Sequence, residues 1–226
     1  MTIAENCAAV LHNVAKAAKE AGRRRENITL IAVTKFMSAD KVAQIIPSGI
    51  ENVGENRVQE LLEKYEFYKN SSFGIHFIGQ LQTNKVKYVK GKVKLIHSLD
   101  RLSLAQALDR FDPETKQDVL IEVNIGEEVQ KGGIAPGELF SFTETLQSFS
   151  SIRVKGLMCV PPPCEDLEAR RYFSKLRELS EKLTSYAFPN VSMEELSMGM
   201  SGDYMSAIME GATMVRIGTA LFGPRK

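Results

Sequence analysis

The chain has no tryptophan, three cysteines and three histidines, and no apolar run approaches the length of a membrane span. A spanning helix needs about 20 consecutive apolar residues, so none is expected. Cys7, Cys159 and Cys164 are odd in number and widely placed. That pattern offers no disulfide framework and points to a reducing compartment. Cys159 and Cys164 flank Val160-Pro161-Pro162-Pro163, which is not a zinc spacing, and no histidine lies near them. His12, His76 and His97 are too scattered to suggest a metal cluster. The N-terminus lacks the apolar core of a secretory signal, because Glu5, Asn6, His12, Asn13 and Lys16 interrupt it. A cytoplasmic location is therefore expected.

Excess charge is missing too. Lys and Arg total 29 against 28 for Asp and Glu, a net charge of +1. Such a balance gives no electrostatic reason to expect nucleic acid or an anionic membrane as a partner. The local exception, Arg23-Arg24-Arg25 after Gly22, reads as a basic helix end facing the negative pole of the helix dipole. Common nucleotide and nucleophile signatures are absent: no P-loop, and no G-x-G-x-x-G after a strand. Gly199-Met200-Ser201-Gly202 falls one residue short of a G-x-S-x-G elbow, and Lys131-Gly132-Gly133 reads only as a mobile loop.

What the sequence does have is an alternation. The 226 residues are 43% hydrophobic and 25% charged, enough for one large α/β domain or two small ones. Short apolar runs recur at 28–34, 50–54, 75–79, 93–99, 119–125, 154–160, 195–198 and 214–218. Most lack period-2 alternation, as expected of parallel strands covered on both faces. Between them lie helical patterns: Ser38 to Ile46 stopped by Pro47, Asn56 to Tyr68, a short basic turn at 84–90, and Arg101 to Phe111 capped by Asp100. The series continues with a helix from Pro136 to Phe149, Leu167 to Tyr186, and a helix begun by Ser201-Gly202-Asp203 that runs to Glu210 before Gly211. An extra amphipathic helix spans 2–21. Eight strand–helix alternations with short connections predict a single (β/α)8 TIM barrel over residues 1–226. A doubly wound open sheet is the rival that the same alternation permits.

Barrels of this class carry their chemistry at the C-terminal ends of strands. Lys35 ends the first strand, straight out of an apolar run. Partial burial would lower its pKa and suit the amine to imine formation, whereas a lysine snorkelling to solvent would look the same in sequence. Asn56 follows the second strand, where its amide would either face a bound ring or cap the next helix. His76 lies inside the third strand and reads as a core histidine; His97 shows no partner pattern. Two stretches near the end, Ser197 to Asp203 and Arg216 to Ala220, pass from strand to helix start through Gly, Ser and Thr. Their hydroxyls and approachable N–H groups suit a phosphate, although tight turns alone also call for glycine.

These pieces carry a resemblance. Ile31-Ala32-Val33-Thr34-Lys35, Gly54-Glu55-Asn56-Arg57-Val58-Gln59-Glu60, His76-Phe77-Ile78-Gly79-Gln80-Leu81-Gln82-Thr83-Asn84-Lys85 and His97-Ser98-Leu99-Asp100-Arg101 come first. Leu196-Ser197-Met198-Gly199-Met200-Ser201 and Val215-Arg216-Ile217-Gly218-Thr219-Ala220-Leu221-Phe222-Gly223 complete the set. Together they resemble the YggS/PROSC family of pyridoxal 5'-phosphate (PLP) homeostasis proteins, themselves similar to the N-terminal barrel of bacterial alanine racemase. The resemblance implies PLP as cofactor, bound as a Schiff base to Lys35. Ser201, Gly218 and Thr219 would form the phosphate cradle, Arg216 would face the pyridine nitrogen, and Asn56 would lie near the ring. Phe36-Met37-Ser38 departs from the family pattern, in which many members have a second basic residue and a proline after the lysine.

An arginine stays protonated, so the ring nitrogen it bonds should not be, which weakens the cofactor as an electron sink. A racemase so arranged needs a strong base on each face of the substrate, and in alanine racemase the opposing tyrosine comes from a second domain of the partner subunit. The sequence ends at Lys226 soon after the eighth strand, so that domain is not expected here. The resemblance therefore implies a PLP carrier or buffer, with no catalytic residue assigned and PLP-dependent apoenzymes as compatible recipients. A monomer is the expectation, with a weak dimer compatible. The competing reading is a PLP-dependent amino-acid racemase of low activity, for which Tyr204 is the candidate second base.

Overall fold

The computed structural model describes residues 2–224; Met1, Arg225 and Lys226, which the expected span includes, lie outside the described residues. Helix α1 (Ile3–Glu20) opens with a capping box in which Thr2 and Glu5 satisfy each other's backbone N–H groups. It is followed by β1 (Thr29–Val33), α2 (Ala39–Ala43), β2 (Asn52–Glu55), α3 (Val58–Asn70) and β3 (Gly74–Phe77). A 3-10 turn over Thr83–Tyr88 replaces a helix before β4 (Leu95–Leu99). Then come α4 (Leu102–Phe111), β5 (Gln117–Glu122), α5 (Leu139–Leu146), β6 (Ile152–Met158), α6 (Asp166–Thr184), β7 (Val191–Ser197), α7 (Tyr204–Met209), β8 (Met214–Ile217) and α8 (Thr219–Phe222).

The strands are all parallel and close in sequence order into a barrel. Closure rests on β1 pairing with β8, where Thr29, Leu30, Ile31 and Ala32 lie beside Met214, Val215, Arg216 and Ile217. That seam excludes the open doubly wound sheet. All eight expected strand positions hold a strand.

The barrel has two apolar layers. Ile31, Leu95, Leu120, Met158 and Met214 form a small cluster of their own inside it, while the larger core fills the space between strands and helices. Since side chains alternate between barrel interior and exterior, residues of the same parity as these five point inward. On several strands those positions are polar. α8 is a single short turn, and α1 packs on both α7 and α8 at this seam. It buries Cys7, Val10, Val14, Ala17 and Ala18, while Asn6 donates to the Leu221 carbonyl at 3.0 Å. Among the described residues no helix is long and apolar enough to cross a membrane.

Four local expectations change. Pro47 sits inside a 3-10 turn (Ile46–Ser48) after α2 instead of stopping a helix at Ile46, because its fixed φ suits the tight turn. Asp100 does not cap α4: its carboxylate takes Arg101 Nη1 at 2.5 Å, and α4 starts with no side-chain cap. Pro136 opens a separate 3-10 turn (Pro136–Glu138) before α5, which ends at Leu146 instead of Phe149. Arg23 serves the end of α7, not α1, donating to the Ala212 carbonyl at 2.7 Å and to that of Ile208 at 3.4 Å.

Candidate functional site

The inward parity of β1 runs Ile31, Val33, Lys35, so the strand itself carries Lys35 to the barrel mouth. There a cavity of about 310 Å³ is lined by Val33, Lys35, Met200, Ser201, Gly202, Arg216, Gly218 and Thr219, among others. This size is at the lower end of small-molecule sites, roughly 300–1,000 Å³. Lys35, Ser201, Arg216, Gly218 and Thr219, separated by up to 184 residues in sequence, meet in this one cavity.

The turn that presents Lys35 is held from below. Phe36 follows it at φ 64°, a left-handed conformation that costs a bulky residue of order 1–3 kcal/mol. Its N–H donates to a Glu60 carboxylate oxygen at 2.6 Å, and the Arg57 guanidinium lies 5.0 Å over its ring. Under the turn, Glu55 Oε1 accepts from Thr34 Oγ1 at 2.7 Å and from the Tyr68 hydroxyl at 2.5 Å, and pairs with Lys64 Nζ at 2.6 Å. Lys64 also donates to the carbonyls of Thr34 and Met37, at 2.8 and 3.1 Å. Burial first, and then the Glu55 charge, push the Tyr68 hydroxyl's pKa upward, so it stays a donor. Ser38, from the divergent Phe36-Met37-Ser38 stretch, caps α2 by accepting from Lys41 N.

Across the β1–β8 seam from Lys35, Ser201 Oγ accepts from the N–H groups of Gly218 and Ala220, both at 3.2 Å. These are the donors that a phosphate oxygen would take. Nearby Gly199 is required by the fold. Its φ is 89°, and a β-carbon there would stand 2.5 Å from Ala207 Cβ. Gly218 differs: a β-carbon there would make ordinary 3.4 Å contact with Val33. The chain thus folds without demanding glycine at 218.

Arg216 is buried, with Nη1 donating to Ser197 Oγ at 2.5 Å and Nη2 to the Cys159 carbonyl at 2.9 Å. Burial lowers its pKa from the ordinary value, though a guanidinium remains a cation. The adjacent Cys159 thiol is pushed up to about 12 by burial and is not a nucleophile.

Three residues depart from the sequence reading. Asn56 does not line the Lys35 cavity. It borders a neighbouring one of about 620 Å³ with Arg57, Gln80, Lys85 and Tyr88, and its Oδ1 is buried without a hydrogen-bond partner. Nor does it cap α3, whose N-cap is Arg57. Tyr204 is buried, its hydroxyl accepting from Asn13 Nδ2 of α1 at 3.2 Å, and it does not line the cavity. His97, which shows no partner in sequence, is bonded to His76 and Ser197, each at 2.9 Å. His76 is the core histidine expected.

Sequence reasoning missed Glu122. Burial and, after it, the Asp100 charge raise its carboxyl to about 7, and Gln80 Nε2 donates to it at 2.6 Å. Its signal was parity with Leu120, two residues earlier on β5.

Residues 6–226 match the family model described as "Alanine racemase, N-terminal domain". A pyridoxal phosphate homeostasis protein of Aquifex aeolicus is 47% identical over 229 residues, covering all of both chains. The chain belongs to the family of pyridoxal phosphate homeostasis proteins. The structure of PipY from Synechococcus elongatus, solved with PLP bound, superposes with a TM-score of 0.80 at 31% identity. The match covers 93% of this chain and all of that one. An alanine racemase of Clostridium difficile has TM-score 0.73 at 16% identity, covering 98% of this chain and 60% of that one. At that identity the likeness is one of fold, and it places the homeostasis-protein barrel beside the racemase's.

Proposed function

We propose that this protein holds PLP as a Schiff base on Lys35 and serves PLP homeostasis as a carrier or buffer, with residues 1–226 forming one PLP-binding barrel. The observation that carries the reading is the convergence of Lys35, Arg216, Ser201, Gly218 and Thr219 on one cavity. An amine, a fixed cation and a cluster of hydroxyl and N–H donors are the donor set that an aldehyde, a pyridine nitrogen and a phosphate require. Lys35 would hold the aldehyde end of the cofactor through its Nζ. Arg216 would donate to the ring nitrogen, while Ser201, Gly218 and Thr219 would take the phosphate. Asn56 borders the neighbouring cavity, so in this reading it shapes the wall beside the ring and does not bond it.

The homeostasis names borne by relatives favour a role without turnover; PLP-dependent apoenzymes are the recipients that a carrier would serve. Tyr204, whose hydroxyl accepts from Asn13 of α1, does not line this cavity, which weighs against it as a second base.

The test is the visible spectrum of protein purified with PLP, beside Lys35→Ala. The expected result is a yellow band in the parent that borohydride removes, leaving a pyridoxyl adduct on Lys35, and no such band in the variant. A parent that stays colourless in excess PLP sinks the cofactor assignment. Solvent deuterium entering amino acids at Cα faster than with free PLP would instead establish catalysis.

A further inference from the structure

The interior of the barrel carries an unbroken line of polar side chains. It runs from Arg216 on β8 through Ser197 on β7, His97 on β4 and His76 on β3 to Asn52 on β2. The links are Arg216 Nη1 to Ser197 Oγ at 2.5 Å, Ser197 Oγ to His97 Nδ1 at 2.9 Å, and His97 Nε2 to His76 Nδ1 at 2.9 Å. The last joins His76 Nε2 to Asn52 Oδ1 at 3.2 Å. Arg216 lines the Lys35 cavity, whereas Asn52 borders hollows at the opposite end of the barrel. Ser197, His97 and His76 are fully buried, and the two imidazoles meet at a 64° angle with centroids 5.2 Å apart.

The two ends fix the direction of every hydrogen bond. A guanidinium only donates, and Asn52 presents its acceptor oxygen. His76 Nε2–H therefore donates to Asn52, leaving Nδ1 to accept from His97 Nε2–H. His97 Nδ1 then accepts from the Ser197 hydroxyl, whose oxygen accepts from Arg216. In this direction each buried donor meets one acceptor. In the reverse direction Ser197 would accept from both Arg216 and His97, and its own proton would have no acceptor, since Ser197 Oγ has no third partner among the described residues. An unmet buried donor is costly.

We propose that Ser197, His97, His76 and Asn52 are positioning residues for the PLP ring: a one-way hydrogen-bond relay that fixes the Arg216 guanidinium against the pyridine nitrogen and spreads its charge along the barrel axis. All four acceptor ends face Arg216, so their dipoles sum to a negative pole where the cation sits. Among the described residues no carboxylate hydrogen-bonds this arginine. Burial is the main force against protonating either imidazole, followed by Lys94 at His76, and by His76 and then Arg216 at His97. The inference rests on the reading of Arg216 as the residue that meets the ring nitrogen.

Two measurements test it. Long-range ¹⁵N–¹H NMR of the full chain, with and without PLP, should show His76 and His97 neutral, both protonated at Nε2, from pH 5 to 9. Nδ1–H tautomers, or an imidazolium in that range, would overturn the relay's direction. The second is the absorbance maximum and release rate of bound PLP in Ser197→Ala and in the isosteric rim variant Asn52→Asp. We expect a shifted maximum in both, with release about threefold faster or more in Ser197→Ala. Asn52→Asp keeps the test alive if Ser197→Ala does not fold. Parent-like spectra and release rates in folded variants whose tautomers have changed would overturn the positioning role. Failure of the cofactor reading is told apart from these outcomes, because a parent that never forms the borohydride adduct removes the relay's purpose while the NMR still reports its direction.

Discussion

Lys64 Nζ lies 2.6 Å from Glu55 Oε1 with both side chains buried, and the same ammonium binds the carbonyls of Thr34 and Met37 on either side of Lys35. The pair is a fastening for the strand end that carries Lys35, not a surface decoration. A buried pair contributes little over an apolar replacement of both partners, but removing one partner strands a charge and costs about 3–5 kcal/mol.

Lys64→Met should therefore lower the urea unfolding free energy by roughly that amount. It should also release PLP faster than the parent, since the turn at Phe36 loses its support. The double variant Lys64→Met with Glu55→Leu should recover much of the stability without recovering slow release. A Lys64→Met protein as stable as the parent would show that the pair bears no load.

Gly218→Ala separates folding from binding. The backbone there adopts φ −115° and a β-carbon would meet only Val33 at 3.4 Å, so unfolding should change by less than about 1 kcal/mol. The added methyl narrows the cavity that Gly218 and Val33 both line. Titration with PLP should show affinity reduced several-fold. Unchanged affinity would move the phosphate away from this turn.

Much of this was legible in sequence, and the reason is local. The eight strands are short apolar runs whose period needs no tertiary knowledge, and Lys35, Ser201, Arg216, Gly218 and Thr219 sit at strand ends, where barrels place their chemistry. What stayed hidden depends on distant partners. His97 looked solitary because its neighbours are 21 and 100 residues away. Lys64 occupies a helix whose spacing marks an ordinary exposed cation, and only the fold brings Glu55 beneath it. Asp100 matched a cap by residue type, but Arg101 beside it claims the carboxylate. Polar residues at the inward parity of β3, β4, β5 and β7 were the available clue, since a barrel interior with no ligand or relay has little use for them.

Acid titration tests the interior electrostatics, and the signs differ among His76, His97 and Glu122. His76 is held down to about 3 and His97 well below its ordinary 6.5, burial being the main cause for each. Their folded forms stay neutral while the unfolded chain takes up protons, so stability present above pH 6.5 is lost as pH falls, by about 1.4 kcal/mol per pH unit for each. Glu122 works the other way. Its carboxyl is raised from 4.5 to about 7, so its contribution is full below pH 4.5 and is lost as pH rises through 7. Between pH 6.5 and 4.5 it offsets one of the two histidines. Glu122→Gln removes that offset and leaves the other titrating groups in place. Urea unfolding of the PLP-free proteins across pH 8 to 4.5 should then show the variant losing stability more steeply than the parent. The difference should grow by up to about 1.4 kcal/mol per pH unit below pH 7. Parallel curves would mean that Glu122 titrates like an exposed carboxylate, and that the mouth of the barrel is wetter than its burial implies.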